Sequence, residues 1–204
     1  MGTNRLSKKE HALKLTYKIL TVILSIYWLC FALLSIQLYI TRAHTYPLKF
    51  KETVFEYSDK YGLDRALVFA VIKVESGFDA KAKSSMDAIG LMQITLNTAD
   101  YVADMLKIKE YDLYDEKTNI AFGCFYLFYL QRRFGNMHTV ICAYNAGEGN
   151  VSKWLNDKEY SDDRITLKNV PFEETSRYAE KIEKTFTKYK KLYGNILDKR
   201  EIFE

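Results

Sequence analysis

The group best placed to do chemistry in this 204-residue chain is Glu75. It follows the run LVFAVIKV at 67–74, which puts apolar side chains on nearly every face of a helix. A carboxylate at the end of such a helix loses hydration, and the negative end of the helix dipole also disfavours its charge, so both effects raise its pKa. A carboxylic acid that stays protonated near neutral pH can serve as a general acid. A lone glutamate in a last helical turn is ordinarily a solvated surface acid, so Glu75 by itself does not decide between the two roles. The nearest other acids, Asp79 and Asp87, lie in polar, loop-like sequence. His11, His44 and His138 are scattered, and Cys30, Cys124 and Cys142 have no metal-ligand spacing, so no metal or other cofactor is expected. Cys124 and Cys142 sit in apolar, helical-looking sequence and read as small buried hydrophobes rather than as a disulfide.

Helices must position Glu75, because no strongly alternating strand and no internal repeat is visible in the sequence. An amphipathic stretch over 49–61 is closed by Gly62, and Asp64 can cap the apolar helix 65–76 that carries Glu75 and stops at Gly77. Thr95 or Asn97 can cap a helix reaching about Lys107, and Thr118 or Asn119 can start another that covers 120–134. Short helices follow at 138–145 and 150–156. A last helix over 173–193 places Tyr178, Ile182, Phe186 and Tyr189 at helical spacing and ends at Gly194. With two prolines, nine glycines and 15% aromatic residues, the chain is neither collagen-like nor disordered over most of its length.

The formal charge of +4 invites a nucleic-acid reading, but its distribution removes it. Residues 1–42 carry six basic groups and one acid, whereas the rest of the chain carries 24 basic and 25 acidic groups. All the net basicity therefore flanks the uncharged segment 19–40, whose 22 residues make a helix roughly 33 Å long, enough to cross a hydrocarbon core. Tyr17 and Tyr39 stand near its ends, and Thr21, Ser25 and Ser35 can return hydrogen bonds to their own helix. Five basic residues precede the span, so the positive-inside rule puts the N-terminus in the cytoplasm and the rest outside. A cleaved signal peptide is the competing reading; its apolar core would be only about 7–15 residues and would end in a small-x-small site, which Tyr-Ile-Thr-Arg-Ala-His after Leu38 does not supply. The expected organisation is a cytoplasmic flank at 1–18, a membrane anchor at 19–40, a linker at 41–50, a catalytic domain at 51–194 and a tail at 195–204.

Glu75 also has company. Glu75-Ser76-Gly77-Phe78 is followed by Ser84-Ser85, by Ala88-Ile89-Gly90-Leu91-Met92-Gln93-Ile94, and by Asn119-Ile120 with Gly123 and Leu127. Ala143-Tyr144-Asn145-Ala146-Gly147 comes next, then Pro171-Phe172-Glu173-Glu174-Thr175 with Tyr178. In this order and spacing the series resembles the catalytic domain of the soluble lytic murein transglycosylases, a branch of the lysozyme-like glycosidases, over roughly residues 53–190. The resemblance implies a mainly α, lysozyme-like fold with little or no sheet, preceded here by the single transmembrane helix. It further implies a monomeric enzyme acting on peptidoglycan glycan strands without metal or cofactor.

Carried over by motif, the resemblance makes Glu75 the catalytic acid/base and Ser76 its accompanying serine. Gly90-Leu91-Met92-Gln93 becomes the loop lining the glycan cleft, with Gln93 donating to sugar groups and Met92 part of the apolar wall. Tyr144 and Asn145 face the glutamate, the Tyr144 hydroxyl within reach of its carboxyl, and Glu174 lies near the peptide-stem side. Each also has a structural alternative. Met92 and Tyr144 can be core, Gly90 and Gly147 can serve unusual backbone angles, and Glu174 can favour a helix N-terminus. The chain departs from the family pattern at Ser176, where an arginine is usual and Arg177 follows one place later, and at Asp87 and Glu148, where neutral residues are common. Most glycosidases use two carboxylates, but neither Asp79 nor Asp87 matches a catalytic position, so a single-carboxylate transglycosylation that closes a 1,6-anhydro ring is expected. A hydrolytic muramidase on the same fold and a non-catalytic wall-binding module remain as alternatives. Sixteen tyrosines suggest sugar-stacking surfaces, but many fall at core spacing and none is assigned.

Overall fold

A computed structural model describes residues 3–198 and divides the chain into two units, 1–47 and 48–204. The first unit is helix α1, Thr3–Ile40, continued by a π-helical turn over Thr41–Thr45. Among the described residues it is the one helix long and apolar enough to cross a membrane. Its hydroxyls are satisfied within the helix as expected: Thr21 donates to Lys18 O, Ser25 to Thr21 O and Ser35 to Phe31 O, at 2.8–2.9 Å.

The second unit is built from α2 (Lys51–Tyr61), α3 (Arg65–Glu75), α4 (Leu96–Leu106), α5 (Glu116–Phe134), α6 (Met137–Ala146), α7 (Glu148–Leu155) and α8 (Glu173–Leu197). Strand structure among the described residues is limited to isolated bridges that pair Ile89 with Lys83 and with Ile94. Helix α3 begins where Asp64 accepts from Ala66 N, directly after Gly62 has turned the chain at φ 66°. Every residue from Arg65 to Ile72 is buried. Arg65, only 5% exposed, is compensated by Asp59, by the Phe55 ring 4.0 Å away and by Leu197 O. One face of α3 packs on α8, where Phe69 stacks on Tyr189. Helix α5 runs through the middle, in contact with α2, α4 and α6.

Two helix ends differ from the expectation by more than two residues. Asp115, not Thr118 or Asn119, caps α5 by accepting from Thr118 N, so the helix starts at Glu116. Asn119 is buried one turn inside, where its side chain is used elsewhere. Helix α8 does not stop at Gly194 but continues to Leu197. Tyr193 and Leu197 are buried and Lys190 pairs with Asp64 and Asp198, which together offset the roughly 1 kcal/mol that a glycine costs inside a helix. Residues 199–204 of the expected tail lie outside the described residues.

Candidate active site

Glu75 is the last residue of α3. Its Oε1 accepts a hydrogen bond from the Tyr178 hydroxyl at 2.6 Å, a contact between α3 and the second turn of α8. Burial pushes the carboxyl up to about 7, against the opposing pull of the Tyr178 hydrogen bond and the Lys181 charge. Desolvation is thus the leading cause, as the apolar run implied. No other carboxylate is among the groups that set this value. Asp79 instead accepts from Lys81 N, and Asp87 pairs with Lys83 on the exposed surface.

The chain after Glu75 is pinned so that a loop lies beside it. Ser76 Oγ donates to Leu91 O at 2.8 Å and accepts from Phe78 N at 3.1 Å, joining the end of α3 to the loop at 82–94. Within that loop Gly90 N donates to Ala82 O, and Ile89 and Ile94 exchange both backbone hydrogen bonds at 3.0 Å. Asn119 holds the loop from below: Oδ1 accepts from Met92 N, while Nδ2 donates to Ile89 O and Leu113 O, all at 2.8–2.9 Å. Gly90 adopts φ 77° and a Cβ there would run into the Asn119 amide and the Leu113 carbonyl, so only glycine fits. This buried amide, fully used, is a positioning group whose role the sequence did not reveal, since a helix start explained the asparagine equally well.

Three expected contacts are corrected. Tyr144 does not bond Glu75; its hydroxyl donates to Met92 O at 2.8 Å, and Tyr178 occupies the place beside the carboxyl. Both phenols are nevertheless close enough for the Glu75 charge, added to burial, to raise their pKa values well above the ordinary range. Met92 is fully buried against Gly123, so its side chain belongs to the core rather than to an open cleft wall. Gln93 spends its amide hydrogens on Ala82 O (3.2 Å) and Gly90 O (2.9 Å), which leaves its side-chain oxygen as an acceptor rather than its nitrogen as a donor. Asn145 is exposed at the end of α6, where its Oδ1 accepts from Thr175 Oγ1 at 2.7 Å and ties α6 to the start of α8. Glu174 is exposed in the first turn of α8 without a hydrogen bond or ion pair, and Arg177 pairs with Glu173. Cys124 and Cys142 are free and buried, in keeping with the sequence; burial raises the Cys142 thiol to about 12.

The model of the Transglycosylase SLT domain matches residues 52–166, more than half of the chain. The chain belongs to that family. Among its relatives, the soluble lytic murein transglycosylase of Escherichia coli (strain K12) is 33% identical over 143 residues, covering 67% of this chain and 22% of that protein. The membrane-bound lytic murein transglycosylase C of Photorhabdus laumondii is 34% identical over 146 residues, covering 64% of this chain and 39% of that protein. The solved lytic transglycosylase Slt of Pseudomonas aeruginosa, an inactive mutant, superposes with a TM-score of 0.65 at 29% identity, over 72% of this chain and 24% of that one. This SLT chain therefore spans only a fraction of the length of the soluble transglycosylases it matches. Its fold is the mainly α, lysozyme-like one that the motif series implied.

For an SLT domain the motif residues divide by position. Ser76, Met92, Tyr144 and Asn119 form the scaffold that sets the loop against Glu75, whereas Gln93, Asn145 and Glu174 remain half-buried or exposed. Tyr178 is the partner of Glu75 to which the motif series assigned no role. Its signal was there, since it keeps its register after Glu-Thr, but nothing local indicates that it meets a carboxyl 103 residues away.

Proposed function

We propose that residues 48–204 are a peptidoglycan lytic transglycosylase with Glu75 as its single acid/base. The observation that carries this reading is the Glu75 carboxyl, held near 7 by burial with no second carboxylate tuning it. Such a group is available both protonated and ionised at neutral pH, as a residue that gives a proton and then takes one back must be. Glu75 protonates the β-1,4 oxygen between N-acetylmuramic acid and N-acetylglucosamine as the bond from C1 to that oxygen breaks. The acetamido oxygen of the muramic residue stabilises the developing cation. The ionised Glu75 then takes the proton of the C6 hydroxyl, whose oxygen bonds to C1 and closes the 1,6-anhydro ring. Atoms balance without water or a metal.

Tyr178 keeps the carboxyl from rising further and fixes its rotamer through a hydrogen bond to the ionised form. Gln93, Asn145 and Glu174 are the polar side chains offered to the substrate, and Ser76, Met92 and Tyr144 act by positioning. The protein is a monomer anchored by α1, with a cytoplasmic N-terminus and residues 48–204 outside, where murein is within reach; the basic flank before the span supports that orientation. The relatives named membrane-bound support the anchor.

Digestion of purified murein by the full chain in detergent micelles, followed by mass spectrometry, tests the reaction. Products ending in 1,6-anhydro-N-acetylmuramic acid are expected from wild type and none from Glu75→Gln. Reducing ends alone would instead identify a hydrolytic muramidase, and binding without products in both proteins would identify a wall-binding module. Protease added outside intact cells is expected to remove residues 48–204 and spare the N-terminal flank; protection of the domain would overturn the orientation.

A further inference from the structure

Helix α8 is basic on one outer face. Lys181, Lys184, Lys188 and Lys191 recur at the three- and four-residue spacing that lines one side of a helix, a stripe roughly 15 Å long. Lys181, Lys184 and Lys191 are exposed and Lys188 is half-buried. Nearby acids leave the stripe with a surplus of positive charge. Glu180 pairs with Lys184 at 3.2 Å, but Glu183 turns to α6, where it bonds His138, and Asp198 pairs with Lys190 on another side of the helix.

The stripe also has a direction. Lys181, at one end, is close enough to act on the Glu75 charge. Beyond Lys191 the helix ends beside the start of α2. There Arg65 donates to Leu197 O at 3.4 Å and stands 4.0 Å from the Phe55 ring, over which Lys51 lies at 5.2 Å. Helix α2 is where the chain arrives from α1. Residues 46–50 join the turn at Thr41–Thr45 to α2, and even fully extended they span at most about 18 Å. A domain on so short a tether stays within reach of the headgroups around its anchor, and weak contacts suffice to hold it there because docking is intramolecular.

We propose that the lysine face of α8 docks the domain on the anionic phospholipid surface of the membrane that holds α1. The inference rests on α1 as an anchor, and it concerns where Glu75 is held rather than what it does. Lysines near a negatively charged surface are attracted to it, and the stripe presents several of them side by side. Its lysines are joined by no large apolar side chain on that face, so the contact is electrostatic and lies at headgroup level rather than in the acyl chains. Tyr178, which holds Glu75, leaves α8 roughly a quarter turn away from the middle of the stripe. Docking therefore leaves the Glu75 side of the helix open and keeps the carboxyl at a fixed height above the bilayer.

The test uses the full chain reconstituted through α1 into vesicles of phosphatidylcholine alone or with about one third phosphatidylglycerol. Acetylation by a water-soluble ester, read peptide by peptide by mass spectrometry, reports which lysines are covered. In anionic vesicles at low salt Lys184, Lys188 and Lys191 should label roughly three- to tenfold more slowly than in neutral ones. The exposed Lys107, Lys109 and Lys153, elsewhere on the domain, should change by less than about twofold. Salt near 1 M, which cuts the screening length to about 3 Å, should abolish the difference. The triple variant Lys184→Glu, Lys188→Glu, Lys191→Glu should return Lys181 in anionic vesicles to its rate in neutral ones. Equal labelling in the two vesicle types, or equal slowing of stripe and control lysines, in protein with native circular dichroism overturns the proposal. Protection by soluble polyphosphate in neutral vesicles, without protection by phosphatidylglycerol, also overturns it and assigns the stripe to an anionic polymer. A chain that does not float with neutral vesicles would overturn the anchor reading, and the docking with it.

Discussion

Replacing Tyr178 by phenylalanine isolates the interaction that sets the catalytic carboxyl. The ring stays, so the burial that pushes Glu75 up to about 7 is retained, while the 2.6 Å hydrogen bond that pulls it down is lost. A hydrogen bond to a charged group is worth about 1.5–3 kcal/mol net, and 1.36 kcal/mol corresponds to one pH unit, so the carboxyl should rise by about one to two pH units. The sign is fixed because the phenol donates to the ionised form, and removing it favours the protonated form. Activity that requires protonated Glu75 falls as pH rises through its pKa, so in wild type the alkaline limb of kcat/KM is expected at about 7. In Tyr178→Phe it should lie at roughly 8–9. Initial rates on uncrosslinked glycan strands between pH 4.5 and 9.5 measure the limb, and a carbon NMR titration of Glu75 measures the carboxyl directly. Tyr144→Phe is the control, since its hydroxyl serves Met92 O. It should cost stability, on the order of 1 kcal/mol, with little displacement of the limb. A limb that stays in place or moves toward acid in Tyr178→Phe, or one that moves mainly in Tyr144→Phe, refutes the reasoning.

Two further outcomes test the energetics. A carboxyl raised from 4.5 to about 7 on folding favours the native state fully below pH 4.5 and loses that advantage as pH rises through about 7. Wild type should therefore lose about 3 kcal/mol across that window relative to Glu75→Gln, read as diverging urea midpoints at pH 4 and pH 8; parallel curves would mean that Glu75 is not buried in its acid form. Gly194→Ala should raise stability by about 0.5–1 kcal/mol in thermal unfolding, because Gly194 lies inside α8 and a Cβ there meets only Asp198 Oδ2 at 3.4 Å. Destabilisation would place the end of the helix at the glycine after all.

Local patterns were legible because they depend on neighbours in sequence. The Asp64 cap, the apolar run ending in Glu75, the serine and threonine hydroxyls bonded within α1 and the burial of Cys124 and Cys142 all rest on interactions within one element or on simple hydrophobicity. Caps with more than one candidate were less certain, and at α5 Asp115 prevailed over Thr118 and Asn119 because Asn119 had a buried task of its own. At α8, burial of Leu197 beside Arg65 outweighed the glycine signal.

The sequence by itself determined the helical class, the charge asymmetry around one apolar span and the raised pKa of Glu75, since hydrophobicity and helix polarity suffice for each. Only the tertiary structure decided which tyrosine meets that carboxyl, and it chose Tyr178 over Tyr144. It also decided that Met92 is core and that Asn119 of α5 holds the loop beside Glu75. Those outcomes depend on how α3, α5, α6 and α8 are rotated and set in register against one another. Burial summed over the whole interface fixes that geometry, and no stretch of neighbouring residues encodes it.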